Sequence, residues 1–135
     1  MASLVDVAPT HVELVWPQVG HWIDDAANSS SCFTCDDVKA KIKDGHAQMW
    51  MAWNGADADA VCITFLEQTT KGKHCHIWIM VGRDRESWQP LMAELEQWAK
   101  REGCNRMRHE ARPGWSKILK AYGYQMPHVC LEKEI

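Results

Sequence analysis

Val12, Val15, Trp16, Val19, Trp22, Ile23 and Ala26 recur every three to four positions, a period that predicts an amphipathic first helix. The short apolar run at Leu4, Val5 and Val7 precedes it as an opening strand, and Thr10 with Glu13 has capping-box spacing at the helix start. Pro17 falls inside the stripe, where a missing N–H predicts a bend or a split. After a polar break at 28–31, Thr34 and Asp37 repeat the capping-box spacing for a second, short helix through Lys43, which Gly45 stops.

From there the period drops to two. Met49, Met51 and Trp53 alternate with Trp50 and Ala52, Asn54-Gly55 marks a turn, and the apolar run 61–66 follows, so the pair predicts a hairpin. A second turn at 69–73 leads into Cys75, Ile77, Ile79 and Val81 alternating with His76, Trp78 and Met80, which completes a three-stranded meander. Trp88, Leu91, Met92, Leu95, Trp98 and Ala99 then form the clearest helical stripe in the chain. Ser87 serves as its N-cap, Pro90 lies in its first turn and Gly103 is its stop. Residues 104–111 read as a strand, Trp115, Ile118, Leu119 and Tyr122 as a short helix ending at Gly123, and 129–135 as a closing strand. The predicted order is β, α, α, β, β, β, α, β, α, β. No repeat, linker or low-complexity segment interrupts it, so residues 1–135 are expected to form a single domain.

Composition narrows the classes of function. A formal net charge of −3 leaves no basic excess to neutralise a phosphate backbone, which argues against nucleic-acid binding. No apolar run approaches the roughly 20 residues that span a bilayer, and the N-terminus lacks the pattern of an export signal, so no membrane association and a cytoplasmic location are expected. The cysteines are read as reduced thiols. Cys32 and Cys35 have the spacing of zinc and redox sites. Strand alternation, however, sends His74 and His76 to one face and Cys75 to the other, and no second C-x-x-C follows, so no metal site is expected. Lys71, Lys73 and His74, and Arg101, Arg106, Arg108 and Arg112, read as solvated surface charge.

The last third of the chain carries a resemblance. The segment LMAELEQWAKREGC at 91–104 resembles the long helix, and its exit into the next strand, of the GNAT acetyltransferase superfamily. ILKAYGY at 118–124 is similar to the following helix and its aromatic stop, written l-Y-x-x-x-G-F. In size and ending the chain also resembles small GNAT-like proteins of tailed phages. The resemblance implies one α/β domain with a mixed, mostly antiparallel central sheet and helices on both faces.

It also implies a site. Acetyl-CoA would lie against Met80 and Val81 at the end of its strand, with its pyrophosphate on the loop Arg83, Asp84, Arg85, Glu86 and Ser87. The motif R/Q-x-x-G-x-G/A is laid on residues 83–88, where backbone amides at a helix start receive phosphate. Glu67 or His76 would be the base. Tyr122 would stand in as the acid, because the family tyrosine falls on Leu119. Arg83 matches the motif, but Glu86 and Trp88 occupy its two small positions, one bringing negative charge and the other bulk. Two functions are therefore carried forward. The first is a GNAT-fold protein with a degenerate cofactor loop, acting without chemistry as a structural or interaction module for a protein partner, of a tailed-phage particle. The alternative is an active acetyl-CoA-dependent N-acetyltransferase acting on an amine.

Overall fold

The computed structural model describes residues 2–135. Five strands form one sheet in the order in which they occur: β1 (Ser3–Val7), β2 (Gln48–Trp53), β3 (Ala58–Thr69), β4 (Gly72–Gly82) and β5 (Cys104–His109). The first four pair antiparallel and β5 runs parallel to β4, so the sheet is mixed and mostly antiparallel, as expected.

Strand alternation gives the sheet two apolar faces, and each is covered by helices. On one face, α1 (Val12–Asn28) and α2 (Cys35–Lys43) bury Val12, Val19, Ile23, Val38 and Ile42 against Met49, Met51, Val61, Ile63 and Ile79. On the other, α3 (Arg85–Trp88), α4 (Met92–Arg101) and α5 (Trp115–Lys120) set Trp88, Met92, Leu95 and Leu119 over Trp50, Ala52, Ala60, Ile77 and Met80. Each such apolar side chain contributes about 1.5–3 kcal/mol on burial, so the two clusters carry most of the driving force for folding. The buried Thr64 hydroxyl is satisfied within the sheet: it accepts from the Trp50 indole N–H at 3.0 Å and donates to Gln48 Oε1 at 2.9 Å.

The local signals hold in part. Thr34 and Asp37 form the expected reciprocal capping box, Gly45 and Gly103 take the positive φ that ends a helix, and α1 continues through Pro17. Thr10, by contrast, lies in a 3-10 turn (Pro9–His11) and α1 begins without a side-chain cap. The long stripe does not start at Ser87 as one helix. The four residues of α3 are followed by a 3-10 turn (Gln89–Leu91) holding Pro90, and α4 begins only at Met92. Ser87 lies inside α3 and donates its hydroxyl to the Asp84 carbonyl at 2.8 Å, so it is not an N-cap. The expected closing strand at 129–135 is absent. That segment has no sheet partner among the described residues, and Val129, Leu131 and Ile135 are exposed. No helix among the described residues is long and apolar enough to cross a membrane.

Candidate functional site

β4 and β5 form a fork. They pair from Lys73 with Cys104 to Ile77 with His109 and then separate, so the outer edge of β4 beyond Ile77 has no strand beside it among the described residues. The fork coincides with a break in β4 that strand alternation did not predict. Ile63 of β3 faces Ile79 and Thr64 faces Ile77, which leaves Trp78 as an extra residue, a β-bulge. The bulge shifts the face on which side chains lie: Ile77 packs under α4, whereas Ile79 packs under α1. The expected run of Cys75, Ile77, Ile79 and Val81 along one face is therefore corrected at Trp78. The bulge also brings the Trp78 ring edge-on to Phe33, in the α1–α2 connection, at 5.1 Å, and to Phe65 at 5.9 Å.

Beneath the bulge, on the α1–α2 face, the structure brings together the two residues expected as alternative bases. His76 stacks flat on Phe65, with ring centroids 4.6 Å apart, and its Nε2 lies 3.6 Å from Glu67 Oε2. That distance is beyond a hydrogen bond, so the His76 nitrogen is buried without a partner. Burial lowers the His76 pKa from its usual value; Glu67 opposes the shift, and Arg108 on the neighbouring strand and His74 reinforce it. The neutral imidazole that results can accept a proton. Replacing Glu67 by glutamine removes the larger of the two influences that favour the charged form, the other being Glu110, so NMR titration of Glu67→Gln is expected to place the His76 pKa lower than in the parent. An unchanged or higher value would separate the two groups.

Tyr122 is not brought to this place. It is exposed in the turn after α5, a helix that packs on the opposite face of the sheet, and Leu119 is buried in the core there. Sequence reasoning passed over Tyr124, whose hydroxyl is buried beside Glu96 of α4; burial raises its pKa well above the usual phenol value. Its place at the aromatic stop was the available signal.

At the far end of β4 lies the loop laid out for a pyrophosphate. Met80 is buried under α4 and Val81 packs toward the α1 core, so their side chains are committed to packing. Gly82 approaches Asp59 and Ala60 so closely that a Cβ would overlap the Asp59 carbonyl. Arg83 is engaged twice: Nη2 contacts Asp57 Oδ1 at 2.7 Å and Nε contacts Asp59 Oδ1 at 3.2 Å, while Asn54 donates to both carboxylates. Asp84 adopts a left-handed backbone with φ 49° and turns the chain into α3. Trp88 is buried, its indole N–H donates to the Arg83 carbonyl at 2.8 Å, and its ring centroid lies 6.1 Å from that of Trp115 of α5. Two guanidiniums, Arg83 and Arg85, thus share the loop with four carboxylates, Asp57, Asp59, Asp84 and Glu86. The residues present do not fit a pyrophosphate: the local charge has its sign, the matching arginine is already paired, and an indole spans the gap between α3 and α5.

No family model matches the sequence, and no curated protein matches it. Solved structures do. A Trypanosoma brucei acetyltransferase is 7% identical with a TM-score of 0.74, each chain covering 100% of the other. An aminoglycoside acetyltransferase from an uncultured soil metagenomic sample, in complex with sisomicin, is 9% identical over 99% of this chain and 96% of its own, with a TM-score of 0.71. A second such enzyme from an uncultured soil metagenomic sample is 9% identical over 100% and 99%, with a TM-score of 0.73. At these identities the likeness is one of fold. The chain is a single α/β domain that shares the fold of these acetyltransferase structures over nearly its whole length.

Proposed function

We propose that this chain uses the GNAT fold as a non-catalytic binding module, with its cofactor loop closed by its own side chains. The observation that carries the reading is the loop itself: Arg83 is engaged by Asp57 and Asp59, and Trp88, at the motif's last small position, fills the core below and ties its indole N–H to the Arg83 carbonyl. Fold alone does not confer chemistry; a site does. The Arg83 guanidinium is about half exposed, so solvent screens its pairs with Asp57 and Asp59 and neither alone fixes the loop. The obstruction therefore rests on the sum of negative charge and the indole, and not on any one ion pair. What such a module engages is a protein partner, and a tailed-phage particle is one setting for it.

A second reading has one observation in its favour. His76 is neutral and lies at the fork next to the Trp78 bulge, where it could take a proton from an amine, with Glu67 steadying the imidazolium. Acetyl-CoA binding separates the two. Isothermal titration of the folded protein with millimolar acetyl-CoA is expected to give no binding heat, whereas a saturable isotherm would remove the closed-loop reading and favour the enzyme.

A further inference from the structure

Strand register gathers four basic side chains on one patch of the α1–α2 face. β5 runs parallel to β4 with Arg106 beside His74 and Arg108 beside His76, and paired residues on neighbouring strands share a face. On the other side of β4, Glu67 lies opposite His74 and Phe65 opposite His76. Alternate residues of a strand are about 6.6 Å apart and neighbouring strands about 4.8 Å, so the two imidazoles and two guanidiniums mark a rectangle that one small ligand can span.

Each corner offers a donor that no protein acceptor uses. His74 is 8% exposed and its buried Nδ1 has no hydrogen-bond partner, and neither has the buried Nε2 of His76. Most buried polar atoms are paired, so two orphaned nitrogens on alternate residues of one strand call for an explanation. The Phe65 ring stacked flat on His76 fixes the plane of that imidazole. Arg106 is exposed and Arg108 half-buried, and neither forms an ion pair with the described residues. A guanidinium donates and never accepts, and an imidazole donates from whichever nitrogen carries its proton. Charge is ordered across the face: the Glu67 carboxylate stands on β3, the imidazoles on β4 and the guanidiniums on β5. Glu110, just beyond β5, is the second carboxylate that bears on His76.

We propose that this corner of the sheet binds a small oxyanion, a carboxylate or a phosphate group, held by Arg106 and Arg108 with His74 and His76 as further donors. The planar fork of a guanidinium matches both groups with two parallel hydrogen bonds. The guanidiniums repel a cation, and water would satisfy the imidazole nitrogens without answering the charge. An extended polyanion fits less well, because it would also meet Glu67 and Glu110 in a chain whose net charge is −3. The patch lies where β4 and β5 are paired, at the other end of β4 from residues 83–88, so oxyanion binding here is independent of the closed cofactor loop.

The test is NMR of the histidine side chains in the full chain at constant pH, titrated separately with inorganic phosphate, citrate and, at matched ionic strength, sodium chloride. Phosphate or citrate is expected to shift the His74 and His76 signals saturably at millimolar concentration, and the tighter of the two identifies the group the site prefers. His109, whose ring lies by Trp115 of α5, is expected to stay put, which separates this patch from any event on the α4 face. Arg106→Gln with Arg108→Gln is expected to weaken the binding about tenfold or more, with an unchanged circular dichroism spectrum, and Arg106→Lys with Arg108→Lys to weaken it less. The absence of a shift with either anion overturns the proposal. Shifts that chloride reproduces overturn it too, because they report screening alone, as does saturable binding that the double glutamine variant leaves unchanged. A single-stranded oligonucleotide that moves the same signals at lower concentration than either small anion also overturns it, in favour of a polyanion surface.

Discussion

Trp88→Ala is expected to destabilise the protein by about 3–5 kcal/mol and to lower its melting temperature by roughly 10–20 °C, read by thermal and urea denaturation. The Trp88 indole is 4% exposed and packs in the cluster that joins α4 and α5 to the sheet, among Met80, Met92, Leu95 and Leu119. Truncation empties one of the two buried tryptophans in that cluster and removes the N–H that satisfies the Arg83 carbonyl. It also cuts the contact with Trp115 through which the start of α5 meets the end of α3. A loss well under 2 kcal/mol would mean that the ring is not packed as described and that the loop is open without it.

The same residue links stability to the closed loop. Glu86 is exposed and its removal alone should cost little stability, so Glu86→Gly with Trp88→Gly isolates the obstruction from the charge held by Asp57 and Asp59. If bulk and the Glu86 charge are what exclude a phosphate, the folded double variant gains acetyl-CoA affinity over the parent. If it stays folded and gains none, the obstruction lies in the aspartates that engage Arg83.

The sequence made some of this legible, and the boundary is physical. The stripe Met92, Leu95 and Ala99, the Thr34–Asp37 box, the alternation of β2 and the apolar run at 61–66 within β3 are local patterns, and each lies in an element of the expected type. The bulge at Trp78 was invisible because it records a one-residue mismatch with a partner strand, not a property of β4 alone. The pairing of Arg83 with Asp57 and Asp59 spans more than twenty residues of sequence and depends on how β3 and β4 register, so a motif match at Arg83 could not reveal that its charge was already used. Glu67 and His76 were named as alternatives and proved to be neighbours, since antiparallel pairing sets them diagonally on one face. The tail at 129–135 failed in the opposite way: its strand pattern is real, but a strand needs a neighbour, and none is beside it among the described residues.

Mild acid is expected to weaken the fold through His109, and the sign follows from its surroundings. His109 ends β5 at the fork, opposite Ile77, with its ring 6.1 Å from that of Trp115 and its Nδ1 buried without a partner. Burial pulls its pKa down to about 4 in the folded protein, against about 6.5 in an unfolded chain. Between those values the unfolded chain binds a proton that the folded chain does not, so stability falls as pH drops through 6.5 and the loss levels off below about 4. The loss from this one group is about 2 kcal/mol between pH 7 and pH 5, and about 3 kcal/mol when complete. His76, also lowered by burial, adds in the same direction. The carboxylates whose pKa is lowered by partners, Glu13, Asp37 and Asp57, lose their contribution only in stronger acid, while Glu96, whose pKa burial raises, takes up its proton more readily in the folded chain and offsets part of the histidines' loss as pH falls toward its range. Urea midpoints measured across that interval should fall steeply in the parent and clearly less in His109→Gln, which keeps a polar group of similar reach and cannot be protonated. Equal slopes in the two proteins would show that His109 is solvated in the folded state and that the fork between β4 and β5 is open to water.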